Sequence, residues 1–475
     1  MRALECQRFW PGKGPVLSGV RLLLDRGRVA GIEPCSGGVS GIVIPSFVDA
    51  HLHFSWKASA LNSLELCSVH SRGEMLSLVE NAPVTSDPLL RGIGFDEFSW
   101  DSPALPTLAE LDAVSGDRPV VLTRVCGHLS LANTALLNLI PAGVPEVDRQ
   151  TGHLIEGASL GFSRMFPVPA DILVECMDTY QNTVFSEGVT GIGTMEHLRE
   201  AELISEWGPG LRTAIGVFSN DAGELSEKGP GHLVRWVKLF LDGSLGAGNA
   251  AVDQCYSDGS KAAPLMADEE VGGFLKIAAG CGIGVCAHAI GAEALRQLAR
   301  VSAQPGAPDV RVEHAEELLP ALNGNWDTGT HSFCMQPNFV SRWQLPGGMY
   351  GNRLPQDRVA ELNPFSTVLS RGFRLGFGSD GMPFGPLAGL SGATGHPMPG
   401  QRLSVEQALY AYTLGAADVC GFSDLAEAIE PGRRAHLCVL SDDPFQGVPW
   451  EDVSVVSTVA DGEVVFGDPD LLVKL

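Results

Sequence analysis

Apolar and polar positions alternate along residues 1–45. The stretch VLSGVRLLLDRGRVAGIEP, broken by glycine turns, carries the pattern of half-buried strands. The C-terminal end has the same texture. After Pro431-Gly432 come RRAHLCVLSDDP and STVADGEVVFGDP, with Asp461-Gly462 between two apolar runs, a hairpin signal. The two ends, 1–45 and 428–475, are therefore expected to pair into one small composite β-domain of sandwich type. Between them, short apolar runs alternate with helical stretches such as ADEEVGGFLKIAAGC and GAEALRQLARV, the mark of a parallel α/β fold. Eight runs read as strands: 42–54, 188–195, 211–218, 235–243, 282–289, 310–315, 331–338 and 373–380. Eight β/α units over 46–427 predict a closed (β/α)8 TIM-type barrel. A doubly wound open sheet is the alternative, but polar residues end nearly every strand here rather than gathering at one switch point. The stretch from residue 54 to residue 188 is too long for one helix. Residues 57–185 are read as one barrel helix plus an inserted subdomain near the barrel mouth, after barrel strand 1.

Composition narrows the function. The 475 residues hold 32 basic and 56 acidic side chains, a net charge of −24. No basic surplus is available to displace counterions from nucleic acid, so the acidity is read as solubility. No apolar run approaches the roughly 18 residues that span a bilayer. The first residues, MRALECQRFWPGKGP, lack the apolar core of an export signal. Eleven cysteines, an odd count without a C-x-x-C pair, argue against a disulfide framework and for core thiols in a reducing cytoplasm. A small-molecule substrate is expected, with neither nucleic acid nor membrane as partner; a homodimer is compatible with the sequence.

His51-Leu52-His53 ends the first strand, and strand periodicity points both imidazoles to one face. Two close imidazoles suit a divalent metal such as zinc, although H-x-H alone is common in ordinary strands. His288, His314 and Asp380 close three further strands at the end where barrel active sites are built. Lys238 is one of only seven lysines and lies within the apolar run WVKLFL. A buried ammonium there must be paired or neutralised. One reading is a salt bridge to Asp242 or Glu196. The other is a deprotonated lysine that has captured carbon dioxide as a carbamate, an anionic ligand able to bridge two metals.

H-x-H followed by Lys, His, His and Asp on successive strands resembles the amidohydrolase superfamily with a binuclear metal centre. The closer likeness is to amidohydrolase family 3, the branch of N-substituted formamide deformylase-like metal-dependent hydrolases. It runs almost end to end, through VIPSFVDAHLHF, GFDEF, TGHLIEG, EGVTGIGTM, VKLFLDGSLG, HAIGAEAL, VEHAEEL, MQPNF, GFGSDGMPFGPL and IEPGRRAHLCVLSDDPF. The resemblance implies that His51 and His53 hold one metal and that His288 and His314 hold the other. Carboxylated Lys238 and a hydroxide would bridge the two, and Asp380 would contact the first metal and shuttle the proton. His128 and Asn133 match a stretch that shapes the family's substrate pocket; a capped turn in the insertion is the other reading of that pair. Three positions depart from the pattern. Gly248 stands where the family has an arginine that could make a charge-based substrate contact, Pro45-Ser46 where it has Pro-Gly, and Glu196 where aspartate is common. The implied reaction is hydrolysis of a C–N bond, amide or N-formyl, in a small molecule. Two rivals are set beside it: deamination of a ring amidine, and a catalytically silent metal-binding or assembly protein. The superfamily's deaminases carry a glutamate three residues after the strand-five histidine, where this chain has Gly291.

Overall fold

Eight parallel strands form the central sheet of the computed structural model, which describes residues 1–474 (the side chain at position 160 excepted). They are β1 (Phe47–Leu52), β2 (Val189–Glu196), β3 (Arg212–Phe218), β4 (Val234–Phe240), β5 (Gly284–Ala289), β6 (Val310–His314), β7 (His331–Met335) and β8 (Arg374–Phe377). Each pairs in parallel with the next. The ring closes where β8 returns to β1. There the Asp380 N–H donates to the His51 carbonyl at 2.8 Å, and the Ser379 N–H donates to Asp49 Oδ1 at 2.9 Å. Gly378 permits this approach, because a Cβ at that position would lie 2.3 Å from the His51 nitrogen. The expected (β/α)8 barrel is the fold.

Parallel barrel strands are covered on both faces, which is why they read as continuous apolar runs. β1, β2, β6 and β7 are buried along their whole length. One cluster joins Val48, Ala50, Met195, Ala214, Trp236, Cys286 and Cys334 to Ala416, Ala417, Val419, Cys420 and Phe422. It draws on six of the eight strands and on residues 416–422. Helices Asp268–Gly280 and Ala292–Ser302 fall on the segments expected to be helical.

The run expected as one strand over 42–54 is two. Ile42–Pro45 pairs with Leu437–Leu440, while Phe47–Leu52 enters the barrel. Pro45 has no N–H to continue a ladder. Ser46 makes the crossing, its N–H donated to the His436 carbonyl at 3.1 Å. The sheet that receives Ile42–Pro45 contains strands from both chain ends, including Arg2–Phe9, Leu17–Asp25, Arg28–Pro34, Val455–Ala460 and Glu463–Phe466. On Leu17–Asp25 burial alternates, with Val20, Leu22 and Leu24 in the core. The Asp461-Gly462 turn has φ values of 46° and 74°, as a two-residue hairpin with both central residues left-handed requires.

Contacts divide the chain into two compact units, 1–54 with 181–475, and 55–180. The second has its own six-stranded sheet. Its core includes Leu66, Met75, Phe95, Trp100, Leu111 and Leu122. Its helices Arg72–Glu80 and Leu108–Ser115 start at Ser71 and Thr107, each side chain accepting a backbone N–H of the first turn. Five of the eleven cysteines are buried and the other six are not, so core thiols are the minority. Among the described residues no helix is long and apolar enough to cross a membrane.

Gly378→Ala tests the closure. The added methyl would press on the β1 backbone, and a loss of about 1–3 kcal/mol is expected for overpacking of this kind. Denaturant midpoints of the two proteins measure it; equal midpoints would mean that the β1–β8 contact is not tight.

Candidate active site

The strand ends bring His51, His53, Lys238, His288, His314 and Asp380 into one cluster. The Nε2 atoms of His51 and His53 lie 3.7 and 3.3 Å from Asp380 Oδ1. The His314 ring lies 5.0 Å from that of His51 and 4.4 Å from that of His288, centroid to centroid. Lys238 sits among them, near enough for its charge to act on His51, His288, His314 and Asp380. Two of the cluster residues have left-handed backbones, His314 at φ 68° and Asp380 at φ 55°. Such conformations persist where the surroundings over-determine them. For Asp380 the surroundings are visible: its N–H is held by His51. Asp49 braces the same corner, accepting from the N–H of His51 at 3.1 Å and from the hydroxyl of Ser379 at 2.5 Å.

Hydrogen bonds to the outer ring nitrogens fix which imidazole lone pair faces the cluster. His51 Nδ1 is 2.5 Å from Glu313 Oε2, and Glu313 Oε1 accepts from Arg311 Nε at 2.6 Å. His314 Nδ1 meets Gln336 Oε1 at 2.7 Å. His288 Nε2 meets the Gly243 carbonyl at 2.9 Å. Each partner oxygen accepts, so the named nitrogen carries the proton and the opposite one keeps its lone pair. Burial, then the Lys238 charge, lowers His51 well below its ordinary value and His288 to about 4. Burial, then His288 and His51, does the same to His314. Burial would raise the Asp380 carboxyl, but His51, His53 and Lys238 hold it down at about 2. At neutral pH this leaves uncharged imidazoles beside a carboxylate, the donor set of a divalent metal site. His51, His53 and Asp380 have ligand atoms within 4.8 Å of one another. A second such triad, His51, Glu313 and Cys334, has its carboxylate already committed to Arg311 and His51.

Lys238 is the misfit. Its side chain is 1% exposed and Nζ has no hydrogen-bond partner among the described residues. The expected salt-bridge alternative fails at Asp242, whose oxygens take the N–H groups of Ala251, Ile290 and Gly291 at 2.8–3.0 Å. The Phe240 ring centre lies 5.2 Å from Nζ. An orphaned buried amine facing neutral imidazoles fits a site where it becomes an anionic ligand, because a bare ammonium would repel the cations those imidazoles attract.

His128 and Asn133 lie in the 55–180 unit. His128 is exposed and paired with Glu156 at 2.7 Å. Asn133 caps the helix Thr134–Leu137. Its carbonyl oxygen takes the N–H groups of Val120 and Leu136, both at 3.0 Å, and its amide donates to Ser115 and the Arg118 carbonyl. The capped turn thus describes Asn133, and its amide has no hydrogen left to offer a ligand. Gly248 leaves room that another residue fills: a Cβ there would lie 3.7 Å from Arg353 Nη1, and Arg353 Nε donates to the Gly246 carbonyl at 2.9 Å. Sequence reasoning missed Arg311, Glu313 and Gln336. The first two were signalled by R-V-E-H in β6, where period-two spacing puts both charges on one side of a buried strand.

The profile of the Amidohydrolase family matches residues 40–466. N-substituted formamide deformylase of Arthrobacter pascens is 27% identical, over 89% of this chain and 88% of its own. Two crystal structures of uncharacterized metal-dependent hydrolases are similar. That from Pyrococcus horikoshii OT3 has a TM-score of 0.79 at 24% identity, covering 95% of this chain and 99% of its own. That from Pyrococcus furiosus has a TM-score of 0.78 at 26% identity, covering 93% and 99%.

The depressed value at His288 has a pH consequence. Between about 6.5 and about 4 the unfolded chain protonates this histidine and the folded chain does not, so stability is lost as pH falls. Other buried groups titrate in the same range, so His288→Asn isolates the effect. In metal-free protein, the parent should lose about 3 kcal/mol relative to the variant across that window. Urea unfolding at several pH values measures this, and a constant difference would show that His288 does not titrate abnormally.

Proposed function

The chain belongs to the amidohydrolase family, and from that premise we propose that it hydrolyses a C–N bond, of amide or N-formyl type, in a small molecule. The observation that carries this reading is the cluster itself: one carboxylate, four imidazoles and a buried amine without a partner, converging at the C-terminal end of the barrel. The relative from Arthrobacter pascens is named for N-substituted formamides, which favours the N-formyl class.

His51, His53 and Asp380 would hold one divalent ion, and His288 and His314 a second, with zinc the natural match for imidazole and carboxylate donors. Lys238 would bridge them as a carbamate. Its neutral amine adds to carbon dioxide, forming the C–N bond and releasing one proton. When bound, such ions bring the pKa of water down to about 7 and polarise a carbonyl. The remaining work falls to this chain. Asp380, ionised and turned towards His51 and His53, takes the proton of the attacking water and returns it to the departing amine. That return matters because an amide nitrogen leaves poorly unless protonated. Glu313 keeps His51 in one tautomer and Gln336 does so for His314, so neither ring has to turn during the reaction.

Asp380→Asn should keep most of the metal and lose about 10²–10⁴-fold in kcat, the range of a removed proton shuttle. Metal analysis alongside kinetics on a panel of amides and formamides reads both, and near-parental turnover would remove Asp380 from the role. Lys238→Ala should lose at least one metal ion and most activity, with partial rescue of both by acetate or propionate. Unchanged metal content, insensitive to added carboxylate, would instead mean a single ion held without Lys238.

A further inference from the structure

Beside the histidine cluster, the last residues of β3 and β4 build an aromatic wall. The Phe218 ring lies 6.2 Å from that of His53 and at 16° to it. Phe240 stacks on Phe218 at 5.8 Å and stands 5.4 Å from the His288 ring. Phe240 is nevertheless 38% exposed, so part of its apolar surface is bare. An apolar group laid against it gains by leaving water.

The same wall touches a histidine that the proposed metal site does not use. His197 follows β2 directly, and its ring lies 4.8 Å from that of Phe218, so a single phenylalanine separates it from His53. His197 Nδ1 is 2.8 Å from Asp221 Oδ2, an oxygen that also takes the Leu198 N–H at 3.1 Å. A carboxylate only accepts, so Nδ1 carries the proton and Nε2 keeps its lone pair. Nε2 has no hydrogen-bond partner among the described residues, and the side chain is 35% exposed beside a carboxylate at 9%. The Leu198 N–H already ties Asp221 to this turn without the imidazole. A ring fixed at one nitrogen by a buried carboxylate and open at the other is arranged to meet a group from outside.

We propose that His197 sets substrate specificity: its Nε2 accepts from an O–H or N–H group at the far end of the substrate. The apolar part between that group and the scissile bond lies against Phe218 and Phe240. Asp221 favours such a donor twice over. It fixes the tautomer that leaves an acceptor at Nε2, and its negative charge prefers a hydroxyl or an ammonium to a carboxylate. The inference rests on the proposed hydrolysis for one point, that the scissile bond lies at the histidine cluster.

Three formamides of equal length test it, those of hexylamine, aminopentanol and pentanediamine, which end in a methyl, a hydroxyl and an ammonium. Calorimetric titration into the intact, metal-loaded Asp380→Asn protein reads binding without consuming the amide. At least one donor-ended formamide should bind about tenfold more tightly than the methyl-ended one, and the arm that does so names the donor. Two further substitutions in that protein separate contact from scaffolding. The carbonyl of His197→Gln can accept where Nε2 did, and the amide of His197→Asn can donate to Asp221 where Nδ1 did. The preference should survive in His197→Gln and vanish in His197→Asn, whereas a residue that only ties two loops together gives the reverse. Thermal melting checks both folds. Equal binding of the three formamides, or no binding at millimolar concentration, overturns the proposal. So does a preference that survives His197→Asn or that His197→Gln also loses. Turnover of the same formamides by the parent protein is read separately. Binding with the expected preference but without turnover would sink the hydrolysis and leave His197 in its role.

Discussion

The distance between β1 and β8 governs the histidine cluster. The N–H of Asp380 reaches the carbonyl of His51 only because Gly378 has no side chain to hold the strands apart. One backbone hydrogen bond thus closes the barrel and sets the separation between Asp380 and the two histidines of β1. It also explains the left-handed backbone of Asp380, since the chain must turn sharply after giving up its N–H to a neighbouring strand. Fold closure and site geometry are a single constraint here, and a change that relaxes one relaxes the other.

Electrostatics then decides what the cluster can be. Burial removes the charge from His51, His288 and His314, and it would do the same to Asp380 were the histidines and Lys238 not beside it. One carboxylate is then little negative charge for the proposed metal ions, and an ammonium at Lys238 would repel them. Converting Lys238 to an anion corrects both at once, which is the physical reason for the proposed carbamate. The neighbouring carboxylates are committed elsewhere: Glu313 accepts from Arg311 and meets His51, and Asp242 is wrapped by three backbone N–H groups.

The eight barrel strands were legible because a parallel strand buried on both faces must be apolar throughout, and such runs stand out between helical segments. The strand ends were legible for the opposite reason, since histidine, lysine and aspartate are conspicuous at the end of an apolar run. The break at Pro45-Ser46 was not, because apolar residues on both sides disguise two strands of different sheets as one. Glu313 and Arg311 escaped for a related reason. Their charges cancel each other, and adjacent opposite charges in a strand ordinarily mean a solvated edge.

Glu313 is where the two ends of the barrel connect. Arg311, buried and stacked on Trp236, needs an anionic partner, and His51 needs an acceptor at Nδ1 if its Nε2 lone pair is to face Asp380. A carboxylate satisfies both because it has two equivalent acceptor oxygens and no hydrogen. A glutamine could satisfy only one: its carbonyl would serve either the guanidinium or the imidazole, and its amide would present N–H to the other donor. An aspartate has the right charge but a shorter reach. The residue next to His314 in sequence is thus chosen by a histidine on a different strand, and that dependence is created only by the closed ring.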